Sequence, residues 1–396
     1  MTDATVEATV DLAVIAHDEG IVRERSGAEV LAVVKADGYG HGAVPVARAS
    51  LRAGAVEIGV ATIAEALALR AAGITAPVIA WQHTPRGDFA AAVRAGVEIV
   101  VSTPRQLTAL VGAASDLGRS AEVGVKVDTG LGRGGVGPQE RASTLDLLAR
   151  SCAKASVRFR TVMSHLACAE EPAHPGKDEQ ARRLEDSVQG LRRARLFPQG
   201  THLANSAAAL TRTDLAGAMV RAEIALYGRT SMPDLGDFGL IPAMTLSAEV
   251  SLVKRVRAGQ GVSYGHTWRA PKDSVVALLP AGTSMGSQAG CPTASRSGSR
   301  GAATAASGGS AWTSSPSTLG RTAGASRRGI ARCSSAPARG EPIALEWARL
   351  CGTIDYEILT RVRGRRIRRY VKAPPPAGSR ADAARSFEDP GEEADR

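Results

Sequence analysis

Glu29-Val30-Leu31-Ala32-Val33-Val34-Lys35-Ala36-Asp37-Gly38-Tyr39-Gly40-His41-Gly42 decides how the rest of this chain is read. A buried apolar run ends in one lysine and breaks into a loop with three glycines. Lysine is scarce here, since arginine supplies nearly all of the 49 Lys and Arg residues. A lone Lys35 leaving a strand is where a Schiff-base lysine sits, because desolvation favours the free amine that attacks an aldehyde. The plainer alternative is a strand-end lysine whose ammonium reaches solvent.

Working outward, the same pattern recurs from Glu29 to Gly228. Short β-branched runs predict strands at Glu29–Lys35, Glu57–Ala61, Pro77–Trp81, Val97–Val101, Glu122–Asp128, Phe159–His165, Thr201–Leu203 and Met219–Ala225. Between them, stretches such as Ile63–Ala72, Pro104–Leu117 and Asp178–Leu196 carry apolar residues at helical spacing. Several strands are apolar almost throughout, as strands covered on both faces must be. Eight strands with intervening helices predict an α/β fold, a (β/α)8 barrel over residues 10–240. An open doubly wound sheet is the competitor, because spacing does not show closure. In either fold the chemistry belongs at the C-terminal ends of the strands.

From residue 241 to 372 the alternation changes to that of antiparallel sheet, as in Met244–Val256, and predicts a second, mostly β domain. Tyr356-Glu357-Ile358-Leu359 is expected as one of its strands. The Pro-, Ala-, Asp- and Glu-rich stretch 373–396 is expected to be a disordered tail. Thr283–Gly340 departs from both patterns. It is dominated by Ser, Ala, Gly, Arg and Thr, with Met285, Leu319 and Ile330 its only large aliphatics. Such a stretch buries too little apolar surface to offset its ordering entropy. A shifted reading frame would account for it.

The chain of 396 residues is 44% hydrophobic, which suits a globular protein with a sizeable core. No apolar run reaches membrane-spanning length, and the N-terminus lacks a charged-then-apolar leader pattern. The five cysteines are scattered and without metal-ligand spacing, which points to a reducing cytoplasm and no metal. A net charge of +10 raises the possibility of nucleic acid. Its distribution argues otherwise: seven arginines and no acidic residue fall within the aberrant Thr283–Gly340. No aromatic-basic interleaving accompanies them.

The quoted segment, with Lys126-Val127-Asp128-Thr129-Gly130-Leu131-Gly132-Arg133 after the fifth predicted strand, closely resembles the bacterial alanine racemases. The resemblance runs from about Val10 to Gly282 and resumes from Glu341 to about Tyr370. It implies pyridoxal 5′-phosphate on Lys35 and interconversion of L- and D-alanine for peptidoglycan by two bases, Lys35 and Tyr264, on opposite faces of the substrate. It further implies that Tyr39, Asn205, Ser206, Ile224 and Tyr356 lie about the cofactor phosphate, and that His165 supports the cofactor. Arg221 matches the arginine that faces the pyridine nitrogen, where a cation disfavours ring protonation and separates racemases from enzymes with an acidic partner. Arg133 matches the residue that orients the substrate carboxylate and the cofactor's phenolic oxygen. Lys126 aligns with a lysine carbamylated in some members. The resemblance also implies a homodimer, with Tyr264 reaching the partner subunit's barrel.

Taken alone, His165 and His202 read as hydrogen-bonded core histidines rather than catalysts, and a structural salt bridge is the alternative for Arg221. A decarboxylase of the same two-domain architecture is a further reading, which Arg221 opposes. Two features depart from the family. Glu223 stands where a glycine is usual, and Thr283–Gly340 replaces the family's Tyr-Ala-Asp-Gly and Cys-Met-Asp-Gln motifs. Reading the last base of each codon with the first two of the next permits Asp and forces Gly across Ser284–Gly286. The same frame forces Asp from Trp312-Thr313 within a permitted Cys-Met-Asp-Gln. The alternative function is therefore a catalytically impaired or inactive relative.

Overall fold

The computed structural model describes residues 6–249, 252–262, 266, 268–278, 304–306, 311–314, 330–334, 343–350, 352–362 and 367–372. The first strand, β1 (Val6–Asp11), leads into the helix Leu12–Ser26, whose first turn is capped by the Asp11 carboxylate. Eight strands follow: β2 (Glu29–Val33), β3 (Glu57–Val60), β4 (Val78–Ala80), β5 (Glu98–Val101), β6 (Ala121–Lys126), β7 (Val157–Met163), β8 (Gly200–His202) and β9 (Met219–Ala222). All seven pairings among them are parallel, in the order β8-β7-β6-β5-β4-β3-β2-β9. The Arg221 N–H donates to the Ala204 carbonyl at 3.0 Å, which ties β9 to the chain leaving β8 and closes the barrel. The open doubly wound alternative falls with that closure.

Leu31, Ile58, Ile79 and Ile99 are fully buried, each contributing about 1.5–3 kcal/mol over exposure. Small residues make room for large ones inside. A Cβ on Gly59 would meet the Trp81 ring at 2.7 Å, and one on Gly124 would meet Glu98 Oε1 at 2.7 Å. The helices start where local chemistry says they should. Thr62 and Glu65 form a reciprocal capping box ahead of Ile63–Ala71, and Thr103 caps Pro104–Asp116.

The second unit holds β10 (Met244–Glu249), β11 (Leu252–Val256), β12 (Gly261–Val262), β13 (Trp268–Arg269), β14 (Ser274–Leu278), β15 (Thr304–Ala306), β16 (Ala311–Ser314), β17 (Ile330–Ser334) and β18 (Ile367–Val371). One sheet runs β17-β10-β1-β18 and another β11-β14-β16-β15. Three findings differ from the sequence reading. Strand β1 is shared with the second unit, pairing antiparallel to β10 and parallel to β18. Within Thr283–Gly340, β15, β16 and β17 join these sheets, because ladder hydrogen bonds come from the backbone and need no apolar side chain. Finally, Asp355–Thr360 is a helix, not a strand through Tyr356–Leu359, and Ala344–Leu350 is another. The Glu357 carboxylate bonds both the Thr353 hydroxyl and Arg361, local partners that favour the helix. The expected tail, 373–396, lies outside the described residues.

Candidate active site

Lys35 follows β2 directly and opens a backward turn. Ala36, Asp37, Gly38 and Tyr39 all have positive φ, between 51° and 60°. For the three that are not glycine, this left-handed backbone costs roughly 1–2 kcal/mol each, so surrounding contacts must hold it. They are visible. Glu65 of the capping box accepts the Ala36 N–H at 2.7 Å, and the Asp37 carboxylate binds Arg368 of β18. Gly40 lies against the helix Asp355–Thr360 so closely that a Cβ would sit 2.3 Å from the Leu359 carbonyl oxygen. That helix is fixed to the barrel by the Arg229–Asp355 ion pair at 3.0 Å.

Lys35 Nζ lies 5.5 Å from the centre of the Tyr39 ring and 3.5 Å from Glu223 Oε1. The Tyr39 ring packs against Tyr227 and meets Tyr356 edge-on, with centroids 4.9 and 5.9 Å apart. The Tyr227 hydroxyl donates to the Val33 carbonyl at 2.9 Å and so anchors the end of β2. His41 is fully buried, stacked on Tyr227 at 4.6 Å, with Nδ1 against the Tyr39 carbonyl at 3.0 Å. Burial pushes its imidazolium down to about 4.

On the strand beside β2, Arg221 is buried in β9. Its Nη2 donates to the Ser164 and Leu203 carbonyls at 2.8 and 3.0 Å and lies 3.4 Å from His165 Nδ1. Among the described residues it is held by carbonyls rather than by a carboxylate hydrogen bond, so the salt-bridge alternative does not describe it there. Burial pulls its guanidinium down to about 10, with Glu223 opposing. Burial and then Arg221 push His165 and His202 each to about 3, leaving both neutral. Lys126, at the end of β6, is pushed to about 8 by burial, then by Arg221 and Arg133. Arg133 stands exposed at the rim, on a loop shaped by Asp128 Oδ1, which accepts the Gly130 and Gly132 N–H groups.

Asn205 caps the helix Ser206–Thr211, and the buried Ser206 hydroxyl accepts the N–H groups of Glu223 and Ala225 at 2.8 and 3.3 Å. The hydroxyl's own proton is left to donate. Ile224 is buried at the start of the turn Ile224–Tyr227. Thus Lys35, Tyr39, His165, Asn205, Ser206, Arg221, Ile224 and Tyr356 gather at the C-terminal mouth of the barrel, with Arg133 at its edge. Tyr264 lies outside the described residues. The sequence reading passed over Glu65, His41 and Tyr227. Thr62-x-x-Glu65 was a legible capping signal, whereas the other two act through packing that no local pattern announces.

The buried polar atoms without a partner among the described residues include two donors at this mouth, Arg221 Nη1 and Tyr39 Oη. Buried polar groups rarely stay unpaired, so the site fits a ligand with an acceptor atom near Arg221 and another near Tyr39. A pyridine nitrogen and a phosphate oxygen meet those needs, and Lys35 supplies the amine. A parallel barrel with a lysine ending one strand and an arginine on the strand beside it has the layout of a pyridoxal-phosphate enzyme.

Comparison with known proteins gives the family. Residues 10–231 match the family model "Alanine racemase, N-terminal domain", and 243–301 match "Alanine racemase, C-terminal domain". An alanine racemase of Mycobacterium avium is 47% identical over 376 residues, covering 93% of this chain and 95% of that one. Another, from Mycolicibacterium vanbaalenii, is 47% identical and covers 94% and 96%. Among solved structures, alanine racemase from Streptomyces lavendulae superposes with a TM-score of 0.87 at 35% identity, covering 94% of this chain and 99% of that one. The Streptomyces coelicolor enzyme gives 0.84 at 37%, covering 93% and 98%. The chain belongs to the alanine racemase family, amino-acid isomerases that depend on pyridoxal 5′-phosphate. With relatives matched over nearly their full length, the reading of an impaired or inactive relative finds no support.

Proposed function

We propose that this chain racemises alanine with Lys35 and Tyr264 as its two bases, Lys35 also carrying the pyridoxal phosphate. The observation that carries this is the pairing of Lys35 with a buried Arg221 whose Nη1 lacks an acceptor among the described residues. When bound, the cofactor draws electrons from the substrate's α-carbon and acidifies its C–H bond. Arg221 holds the pyridine nitrogen as an acceptor and, being cationic, disfavours its protonation. Tyr39, Ser206, Tyr356 and the backbone at Ile224 hold the phosphate, Asn205 orders the turn behind it, and neutral His165 braces Arg221. Arg133 at the rim receives the substrate carboxylate. Lys35 and Tyr264 exchange the α-proton on opposite faces, each positioned base contributing about 10²–10⁴-fold.

The protein is a homodimer in this reading, with Tyr264 supplied across the interface, and it provides D-alanine for peptidoglycan in the cytoplasm. Among the described residues no helix is long and apolar enough to cross a membrane. The test is D-alanine formation from L-alanine by the cofactor-loaded chain. Lys35→Ala should abolish both turnover and the absorbance band of lysine-bound cofactor, while Tyr264→Phe should keep the band and lose turnover. Mixing the two variants should restore part of the activity, because each hybrid dimer regains one intact site. Unchanged turnover in Lys35→Ala overturns the assignment.

A further inference from the structure

Glu223 is a buried carboxylate that nothing in the proposed reaction uses. It directly follows β9, its backbone N–H is tied to the Ser206 hydroxyl, and its side chain reaches Lys35 at 3.5 Å. Among the described residues this is the one ion pair that Lys35 makes. The same carboxylate is felt across the whole mouth. After burial, it is the largest influence raising the Tyr39 and Tyr356 phenols. It also acts on Tyr227, Lys126, His165 and Arg221. Burial opposes its ionisation, but Lys35 and, after it, Arg221 outweigh that and hold it below the ordinary carboxylate range. The mouth therefore already contains an anion, and it is covalently attached.

We propose that Glu223 is a built-in competitor for the cofactor's phosphate, occupying the anion corner formed by Ser206, Tyr39 and Tyr356 and holding Lys35 in an ion pair until phosphate displaces it. The proposal rests on the reading that puts phosphate at that corner. A phosphate dianion entering there meets a carboxylate that shares its cations, and like charges at such distances repel strongly where water is scarce. Glu223 must release Lys35 and turn away before the cofactor seats. Cofactor binding is then weak and reversible, set by a residue that never touches the substrate's reacting atoms.

The probes are inorganic phosphate and pyridoxal 5′-phosphate, added to cofactor-free full-length protein and followed by calorimetry and by the lysine-bound band. Glu223→Gln keeps the side chain's volume and removes its charge; Glu223→Gly removes the side chain and serves if the first fails to fold. Both should bind phosphate and cofactor at least about tenfold more tightly and capture cofactor faster. Equal or weaker affinity in a folded variant overturns the proposal, since it would mean the carboxylate is neutral toward the phosphate or assists it. The two readings fail separately. If Lys35→Ala still develops the band, the assignment of Lys35 falls. If the band needs Lys35 but removing the charge of Glu223 changes nothing, only the competitor falls.

Discussion

At the C-terminal mouth of the barrel Lys35, Arg221 and Lys126 interact with Glu223, whereas near the N-terminal end Glu57, Glu98 and Glu122 share Arg160. The guanidinium reaches these carboxylates at 4.0, 3.6 and 3.5 Å. Both clusters are built on the parallel strands of the barrel, yet their excess charge is opposite. The mouth resolves its excess by neutralising imidazoles, lowering Lys126 and admitting an anionic ligand. At the other end three carboxylates share one guanidinium, and two of the acids shift. Burial pushes Glu57 up to about 7, and burial with Glu57 pushes Glu98 up to about 8. Charge that can be met from outside is function, and charge that cannot is a stability cost.

The comparison breaks most sharply at Lys35. Lys35→Ala should lower alanine turnover by about 10³-fold or more while costing less stability than Arg160→Gln, because Arg221 still faces Glu223, measured by D-alanine formation and calorimetric melting. A large loss of stability would place Lys35 with the structural charges instead.

Arg160→Gln tests the other end. It strands Glu57 and Glu98, while Glu122 keeps Arg158, and urea titration should show a loss of about 3–5 kcal/mol, smaller at pH 5 than at pH 8 because protonation relieves the acids. Turnover per folded molecule should hold. Glu98→Gln should act oppositely. A carboxyl whose folded pKa lies above its unfolded value keeps a proton that the unfolded chain has lost, so the native state loses stability as pH rises from about 4.5 to about 8. Removing that carboxyl should stabilise by about 1–3 kcal/mol at pH 8.5 and by little at pH 4. Equal effects at both pH values would show that Glu98 titrates normally.

The smallest effect is expected at Tyr39→Phe. Its hydroxyl has no partner among the described residues, so stability should change by no more than about 0.5 kcal/mol, while cofactor affinity falls about tenfold. A destabilised protein with unaltered affinity would make that hydroxyl structural.

What the sequence disclosed follows the same division. Barrel strands were legible to within two or three residues because doubly covered strands write continuous apolar runs, as in Glu29–Val33 and Glu98–Val101. The mouth was legible where residues sit at strand ends in specific motifs: Lys35, Arg133, Asn205-Ser206 and Arg221. What depends on distant chain was not. Strand β1 finds its partners at Met244–Ala248 and Ile367–Val371, a pairing no local window contains. Tyr356-Glu357-Ile358-Leu359 has strand-forming residues, and the helix depends on Glu357 contacts and on Asp355 meeting Arg229, more than a hundred residues earlier in the chain. The left-handed turn after Lys35 was visible only as glycines, since its hold on Ala36 and Asp37 comes from Glu65 and Arg368.

One measurement tests the central claim directly: reduce the cofactor-loaded protein with borohydride, digest it, and locate the pyridoxyl group by mass spectrometry. Lys126 is the rival amine, since burial and two neighbouring arginines bring it to about 8 at the same mouth. The account predicts the label on the peptide containing Lys35 and none on Lys126. Label on Lys126, or spread over both, would contradict it.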